Sequence, residues 1–428
     1  MVDQRRFVNQ RLVDAATAAR RLGVKLPTLY AYVSRGQLRS VAGARGRPRL
    51  YSVDDIERLV ARHAARAGHG AVAAGALRWG EPVMDSAITQ ITPRGPAYRG
   101  HLAVALAAAE TPFENVAELL WSGALPRDRV RWPRAAFAAA QLARVVPPGA
   151  GPLDVMAIAV QLAALADPTR DDPRPDVALA SARGLIGLAA ACVAPTVAAM
   201  TRALGAPSIA EAVVRGLDAP AAAAPVVERT LVLLADHELN ASSFAARIAA
   251  STEASPHACV AAALATLSGR LHGAASIAVA RFLDDVGGPA RAKDAVRALH
   301  ARGELPPGFG HPLYDDGDPR ATALLELVER SSVRTVRTAL AVIDAVDAIV
   351  RRTTTKRAAA RPNVDFALAA VIASLGAPAS AGASVFATSR AAGWIAHVIE
   401  QRAAGYVLRP RARYTGRPLV ERPRAPTP

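Results

Sequence analysis

Acid–base chemistry in this chain concentrates in four short segments. His237 stands in Ala235-Asp236-His237-Glu238-Leu239-Asn240 and His272 in Gly269-Arg270-Leu271-His272-Gly273. His311 closes Gly308-Phe309-Gly310-His311, which runs on to Asp318-Pro319-Arg320, and Asp365 closes Pro362-Asn363-Val364-Asp365. The chain has 9 histidines, and these three lie beside glycine or acid in text otherwise built of alanine, leucine and valine. A carboxylate can accept a proton, and a neutral imidazole can donate a hydrogen bond to an oxygen that gains charge. Arg320, Arg390 and Arg409 offer planar forks for carboxylates. No two of the three histidines have helical ligand spacing, so no metal site is expected.

Apolar helical text surrounds these segments. Helical stretches are predicted at 101–109, 114–121, 134–144, 153–165, 177–204 and 227–234, with a Pro/Asp/Arg loop at 166–175 and an Ala/Pro connection at 218–226. The helical run 258–268 ends just before His272. That places the imidazole at a new helix start, where the helix dipole favours loss of its proton. Gly-Phe-Gly before His311 lets backbone approach a ligand closely. No glycine-rich loop links a strand to a helix, so a dinucleotide or P-loop reading lacks its pattern.

Composition agrees with a helical chain. Hydrophobic residues make up 51% of 428, yet aromatics only 4%, because alanine supplies much of the total. Alanine is the best helix former, and β-branched or aromatic runs are few. No apolar run is long enough to span a bilayer, and Met1 to Arg6 lacks a signal peptide's apolar stretch. Cys192 and Cys259 have no ligand spacing and read as buried free thiols in a reducing cytoplasm. The net charge of +16 is uneven. Residues 1–70 hold 14 Lys/Arg against 5 Asp/Glu, and residues 401–428 hold 7 arginines against 1 glutamate, which leaves 71–400 nearly neutral. A basic head on a neutral body suggests a nucleic-acid module joined to something else.

The head reads as a helix at 13–22 stopped by Gly23, then a second helix from Thr28 to Arg35, with Pro27 at its first position and Gly36 after it. A basic hairpin follows from Leu38 to Ser52, then a helix from Val53 to Arg66 that opens with Asp54, Asp55 and Glu57. Ala15-Ala16 to Leu22-Gly23-Val24, Thr28-Leu29-Tyr30, Gly36, Leu38 and Leu50-Tyr51-Ser52-Val53-Asp54-Asp55 together resemble the MerR/excisionase-type winged helix-turn-helix. The resemblance implies a domain over residues 1–66 that binds DNA. Thr28, Tyr30 and Arg35 would lie near the duplex, and Arg45, Arg47 and Arg49 would reach phosphate from a wing. Residues 67–78 read as a linker.

From Trp79 to Gly416 the chain resembles citrate synthase. The matching text runs in order: Ser86-Ala87-Ile88; Tyr98-Arg99-Gly100; Glu118-Leu119-Leu120-Trp121-Ser122-Gly123; Leu125-Pro126; Ala235 to Phe244; Leu271-His272-Gly273; Gly308 to His311; Asp318-Pro319-Arg320; Asn363-Val364-Asp365; Ser389-Arg390; Gly393 to His397; Arg409-Pro410-Arg411; and Tyr414-Thr415-Gly416. The resemblance implies an all-α homodimer. Each subunit would have a large domain (79–272 and 371–416), a small domain (273–370) that closes over substrate, and a disordered tail (417–428). The reaction would condense acetyl-CoA, or propionyl-CoA in a 2-methylcitrate synthase, with oxaloacetate and then hydrolyse the thioester, with no cofactor beyond the acyl-CoA. Asp365 would take the α-proton, His272 would stabilise the enol oxygen and His311 would protonate the ketone. His237, Arg320 and Arg390 would hold the oxoacid, and Arg409 would come from the partner subunit. A DNA-binding regulator with a ligand-sensing body is the alternative. Several positions depart from the family pattern: Asp315 stands where bacterial members carry a basic residue, Leu234 where some place another histidine, Gly269-Arg270 where Gly-Pro is usual, Ala274 where a second glycine is usual, and Phe366 to Ala369 where small polar residues are usual.

Overall fold

The computed structural model describes residues 12–34, 38–41, 48–53, 55–56, 59, 84–147, 149–269, 272–273, 275–314, 316–350, 361–410 and 415–416. Backbone contacts divide the chain into two compact units, Ser86–Leu408 and Met1–Asp85 with Arg409–Pro428.

The first unit holds the expected pair of helices. Asp14 caps Ala15–Leu22 by accepting from the Thr17 N–H at 2.7 Å, and Gly23 ends the helix at φ 64°. Val13, expected inside that helix, instead belongs to a strand, because the cap forces extended backbone at Asp14. The second helix, Leu26–Ser34, starts one residue earlier than expected, with Pro27 in its first turn. Leu12–Val13, Leu50–Ser52 and Ser40–Val41 form an antiparallel three-stranded sheet in that order. The expected hairpin is therefore present, with one extra strand. Leu22, Leu29, Leu38, Tyr51, Ile56 and Leu59 form a small core. Asp55 does more than favour a helix start: its carboxylate receives Arg39 Nε at 2.8 Å and Arg39 Nη2 at 2.9 Å. Arg35, Arg45, Arg47, the linker 67–78 and the tail 417–428 lie outside the described residues.

Among its described residues, the second unit's regular structure is helical apart from a small meander of Thr89–Thr92, Gly95–Tyr98 and His101–Leu102. The meander corrects the helix expected over 101–109, which begins only at Ala103. The edge position of His101 and the reversal at Arg99-Gly100, both at positive φ, hold those residues in sheet. The stretches 114–121 and 153–165 appear as Phe113–Ser122 and Pro152–Ala166. Only Ala139–Leu142 is helical within 134–144, where Pro133 and a run of arginine and alanine precede it. The stretch 177–204 is two helices, Pro175–Ala191 and Val197–Leu204, interrupted before Thr196, which caps the second. Ile209–Gly216, capped by Ser208, was not anticipated. Residues 218–226 are only partly a connection, since a 3-10 turn leads into a helix that starts at Ala224 and runs to Leu234.

The centre of this unit is the 24-residue helix Ala381–Ala404, buried on every side from Ala381 to Val398. Small side chains make that possible. Gly393 donates its N–H to Ala235 O at 3.0 Å, and a Cβ there would overlap Asp236. The helices Phe113–Ser122, Pro175–Ala191, Ala224–Leu234, Ala241–Ser251 and Pro256–Leu267 pack around it. Ala275–Val286, Ala292–Ala301, Pro319–Val328, Arg334–Ile349 and Val364–Ser374 pack largely on one another. Cys192 and Cys259 are buried free thiols, and burial pushes them up to about 12 and about 11. Among the described residues no helix is long and apolar enough to cross a membrane.

Candidate active site

His237, His272, Arg320 and Asp365 sit where a helix starts or stops, whereas Arg390 lies inside Ala381–Ala404. Helix Ala224–Leu234 ends just before Asp236 and His237, and Asn240 caps the next helix by accepting from the N–H groups of Ser242 and Ser243. His272 occupies the turn between Pro256–Leu267 and Ala275–Val286. Gly273 closes that turn with N–H to Leu267 O at 2.8 Å, and a Cβ at Gly273 would come within 2.6 Å of that same oxygen. Two further segments are stapled together. Asn363 N–H donates to Gly308 O and Gly310 N–H to Arg361 O, both at 2.8 Å. The Asn363 amide also donates to Gly310 O at 3.1 Å. Gly308 has φ 79°, and a Cβ there would lie 2.7 Å from Val279 Cγ2 and 2.8 Å from Phe366 Cβ. The His311 loop and the Asp365 helix start are therefore held as one piece. Asn363 caps that helix through the Asp365 N–H at 3.0 Å.

Two guanidinium groups lie buried among these segments. Arg320 donates Nε and Nη2 to the two oxygens of Asp318 at 3.0 and 2.8 Å. Arg390 donates Nε to Leu234 O at 2.9 Å and lies 4.5 Å from the Phe386 ring centroid. His237 Nε2 is 2.8 Å from the Tyr314 hydroxyl. The His311 ring centroid lies 5.4 Å from that of His237 and 4.7 Å from that of Tyr314. The Arg320 guanidinium lies 5.9 Å from the Tyr314 ring centroid. His272 Nε2 is 2.9 Å from Ser242 Oγ, which also accepts the Trp394 indole N–H at 3.1 Å.

Burial and the two arginines set the charges. Burial, then Arg390, lowers His272 to about 4. His311 is also lowered to about 4, by burial and by Arg320, although Asp318 opposes the shift. His237 falls well below the usual histidine range, first through burial and then through Arg320, Arg390 and His311. All three rings are thus neutral near pH 7. The direction expected for His272 holds, but its causes are burial and Arg390 rather than a helix end. Asp365 is only partly covered at its surface, yet it lies deep in the protein. Loss of hydration raises it to about 6, against the pull of Arg320. Burial works against the charge on Arg320, but Asp318 more than offsets it. Burial lowers Arg390 to about 10, which leaves it cationic.

His237, His311, Arg320, Arg390 and Asp365 therefore share one electrostatic field, with His272 beside Arg390. Arg409 is exposed and falls in the other unit. Asp315 lies outside the described residues. The sequence reading missed Tyr314, Ser242 and Trp394 as site residues. Ser242 and Trp394 lay inside motifs already quoted, but only the fold shows that they meet at His272. In the first unit, Thr28 and Tyr30 are exposed on helix Leu26–Ser34, and Arg49 is exposed with Nε 3.1 Å from Ser40 Oγ.

A proton acceptor near pH 6, neutral imidazole donors and two fixed cations suit removal of a proton next to a carbonyl in the presence of a dicarboxylate. Comparison with known proteins points the same way. The family described as "Citrate synthase, C-terminal domain" matches residues 76–411, and "Helix-turn-helix domain" matches residues 12–64. A 2-methylcitrate synthase from Mycobacterium tuberculosis (strain H37Rv) is 32% identical over 361 residues, covering 79% of this chain and 89% of that protein. A citrate synthase from Mycolicibacterium smegmatis is 31% identical over 366 residues, covering 79% and 94%. The citrate synthase structure from Thermotoga maritima superposes with a TM-score of 0.65 at 26% identity, covering 80% of this chain and 96% of that one. The structure from Thermoplasma acidophilum, a ternary complex with carboxymethyl coenzyme A and oxaloacetate, has a TM-score of 0.67 at 24% identity over 81% and 97%, and supports the fold alone. The chain belongs to the citrate synthase family of acyltransferases and carries a helix-turn-helix domain on its N-terminal side.

Proposed function

We propose that the enzyme condenses acetyl-CoA with oxaloacetate and hydrolyses the resulting thioester to citrate and CoA. The observation that carries this reading is the joining of Asp365 to two buried arginines and neutral histidines in one field. Arg320, Arg390 and His237 hold the two carboxylates of the oxoacid. Asp365 takes a proton from the acyl methyl group while His272 donates a hydrogen bond to the thioester oxygen, because the enol must be stabilised as it forms. Ser242 supports that role. The Trp394 N–H occupies one side of its oxygen, so its own proton can go to His272 Nε2. The ring proton then sits on Nδ1, free for substrate. The enol carbon attacks the ketone carbon, and His311 supplies a proton to the ketone oxygen. Water then cleaves the thioester and CoA leaves. No cofactor beyond the acyl-CoA takes part.

The same reading gives a cytoplasmic homodimer to which the partner's Arg409 contributes. Its large domain comprises 79–272 and 371–416, and its small domain, 273–370, closes to exclude water during condensation. Thiol release from acetyl-CoA should require oxaloacetate. Asp365→Ala should lower kcat by about 10²- to 10⁴-fold, the range for loss of a positioned base, with oxaloacetate binding retained in calorimetry. An unchanged rate would remove Asp365 as the base, and a higher kcat/KM on propionyl-CoA would reassign the acyl group to 2-methylcitrate synthesis.

The pH profile follows from the charges. Asp365 must be ionised to accept a proton, and its group sits at about 6, so kcat/KM should rise with pH through about 6. It should then stay level to about pH 8, because His272 and His311, at about 4, are already neutral. A profile that falls between pH 6 and 8 would contradict these charge assignments.

The first unit binds DNA in this reading. In support, its second helix exposes Thr28 and Tyr30, the latter 51% exposed, and residues 1–70 carry a net +9 (14 against 5). A dimer would present two such heads to paired half-sites. In gel-shift assays on genomic fragments, affinity should fall steeply with salt. Deleting residues 1–70 should abolish it and spare turnover. No shift at low salt would make the head an interaction module.

A further inference from the structure

Below Arg390 the central helix carries a stripe of residues that the proposed reaction does not use. Arg390, Gly393, His397 and Glu400 recur every three or four residues, which puts them on one face of Ala381–Ala404. Facing them is Asp236, fully buried, one residue before His237. Gly393 makes room for its carboxylate, since a Cβ there would overlap Oδ1. His397 Nε2 lies 3.4 Å from the same oxygen, without a hydrogen bond between them. On the far side of the ring, Arg247 Nη1 is 3.5 Å from His397 Nδ1. Arg247 is fixed in turn by Glu400 Oε2 at 2.6 Å and Gln401 Oε1 at 3.1 Å, and Glu400 Oε1 accepts the Ala87 N–H at 2.7 Å.

An arginine donates and never accepts. His397 Nδ1 therefore offers its lone pair to Arg247, which leaves the ring proton on Nε2, the nitrogen nearer Asp236; among the described residues neither Nε2 nor either Asp236 carboxylate oxygen makes a hydrogen bond. This arrangement holds a negative charge beside Arg390. Nε is given to Leu234 O, and among the described residues the other N–H groups of Arg390 make no hydrogen bond, which leaves them for a substrate carboxylate.

We propose that Asp236 is a positioning residue for oxoacid binding, orienting Arg390 and His237 together, and that His397, locked by Arg247, holds Asp236 in place. This rests on the reading of Arg390 and His237 as oxoacid-holding groups. Asp236 and His397 touch no substrate themselves. Their effect should appear in oxoacid affinity and leave acyl-CoA affinity nearly intact.

The test compares wild type with Asp236→Asn, Gly393→Ala, His397→Leu and His397→Gln. Oxaloacetate binding is measured by calorimetry without acyl-CoA, together with both KM values, kcat and thermal midpoint. Asp236→Asn, Gly393→Ala and His397→Leu should each weaken oxaloacetate by roughly tenfold or more, as expected when a buried charge partner is lost or displaced. The acyl-CoA KM should move by less than about twofold. His397→Gln should recover most of the loss, because its amide can present an N–H to Asp236. Should Asp236→Asn fail to fold, Gly393→Ala and the His397 pair decide the matter with the aspartate in place. Unchanged oxaloacetate affinity in the folded variants would overturn the inference, as would equal losses for both substrates or no difference between His397→Leu and His397→Gln. Failure of the wild type to bind oxaloacetate would overturn the proposed function, and this inference with it.

Discussion

Two arginine side chains buried inside an alanine-rich helical body constrain everything around them. Removing a guanidinium from water costs roughly several kcal/mol even after relaxation. Arg320 offsets that cost through two hydrogen bonds to Asp318. Arg390 has a backbone carbonyl, an aromatic face and the nearby charge of Asp236. Positive charge in a desolvated pocket also forbids positive charge on neighbouring imidazoles. His237, His272 and His311 are neutral for that reason as well as for their burial. The same field restrains Asp365, which burial alone would push higher than about 6. A carboxylate that is ionised at neutral pH but still basic, beside uncharged donors, is the combination that enol chemistry needs.

The backbone holds these groups with caps and glycines more than with bulk. Asn240, Asp318 and Asn363 each cap a helix immediately beside a site residue, so the residue that starts the helix also fixes the backbone that carries the side chain. Gly273, Gly308 and Gly393 permit close approach where any Cβ would collide. Alanine lets Ala381–Ala404 be enclosed on all sides as far as Val398, which places Arg390 far from water.

Much of this was legible in the sequence because the informative residues are chemically out of place in their surroundings. His237, His272, His311 and Asp365 interrupt apolar text, and Arg320 follows its own capping aspartate. Local signals also placed the helix-turn-helix, through Asp14, Gly23 and Pro27. What was missed depends on tertiary context. Tyr314 reads as an ordinary loop tyrosine until His237, 77 residues away, meets its hydroxyl. Trp394 reads as core until its indole reaches Ser242 across 152 residues. The strands from Thr89 to Leu102 are short and alanine-flanked, so periodicity could not separate them from the helix that follows. The pairing of Asp236 with His397 also needed the fold, since 161 positions separate them in the chain.

Burial, reinforced by the buried cations, keeps the site histidines uncharged where catalysis occurs. Nitrogen-15 NMR of protein labelled at histidine, with signals assigned by single His→Gln changes, reads ring protonation directly. His237, His272 and His311 should show neutral imidazole shifts from pH 8 down to about pH 5, below the usual histidine midpoint near 6.5. Imidazolium shifts for any of the three at pH 7 would contradict the account.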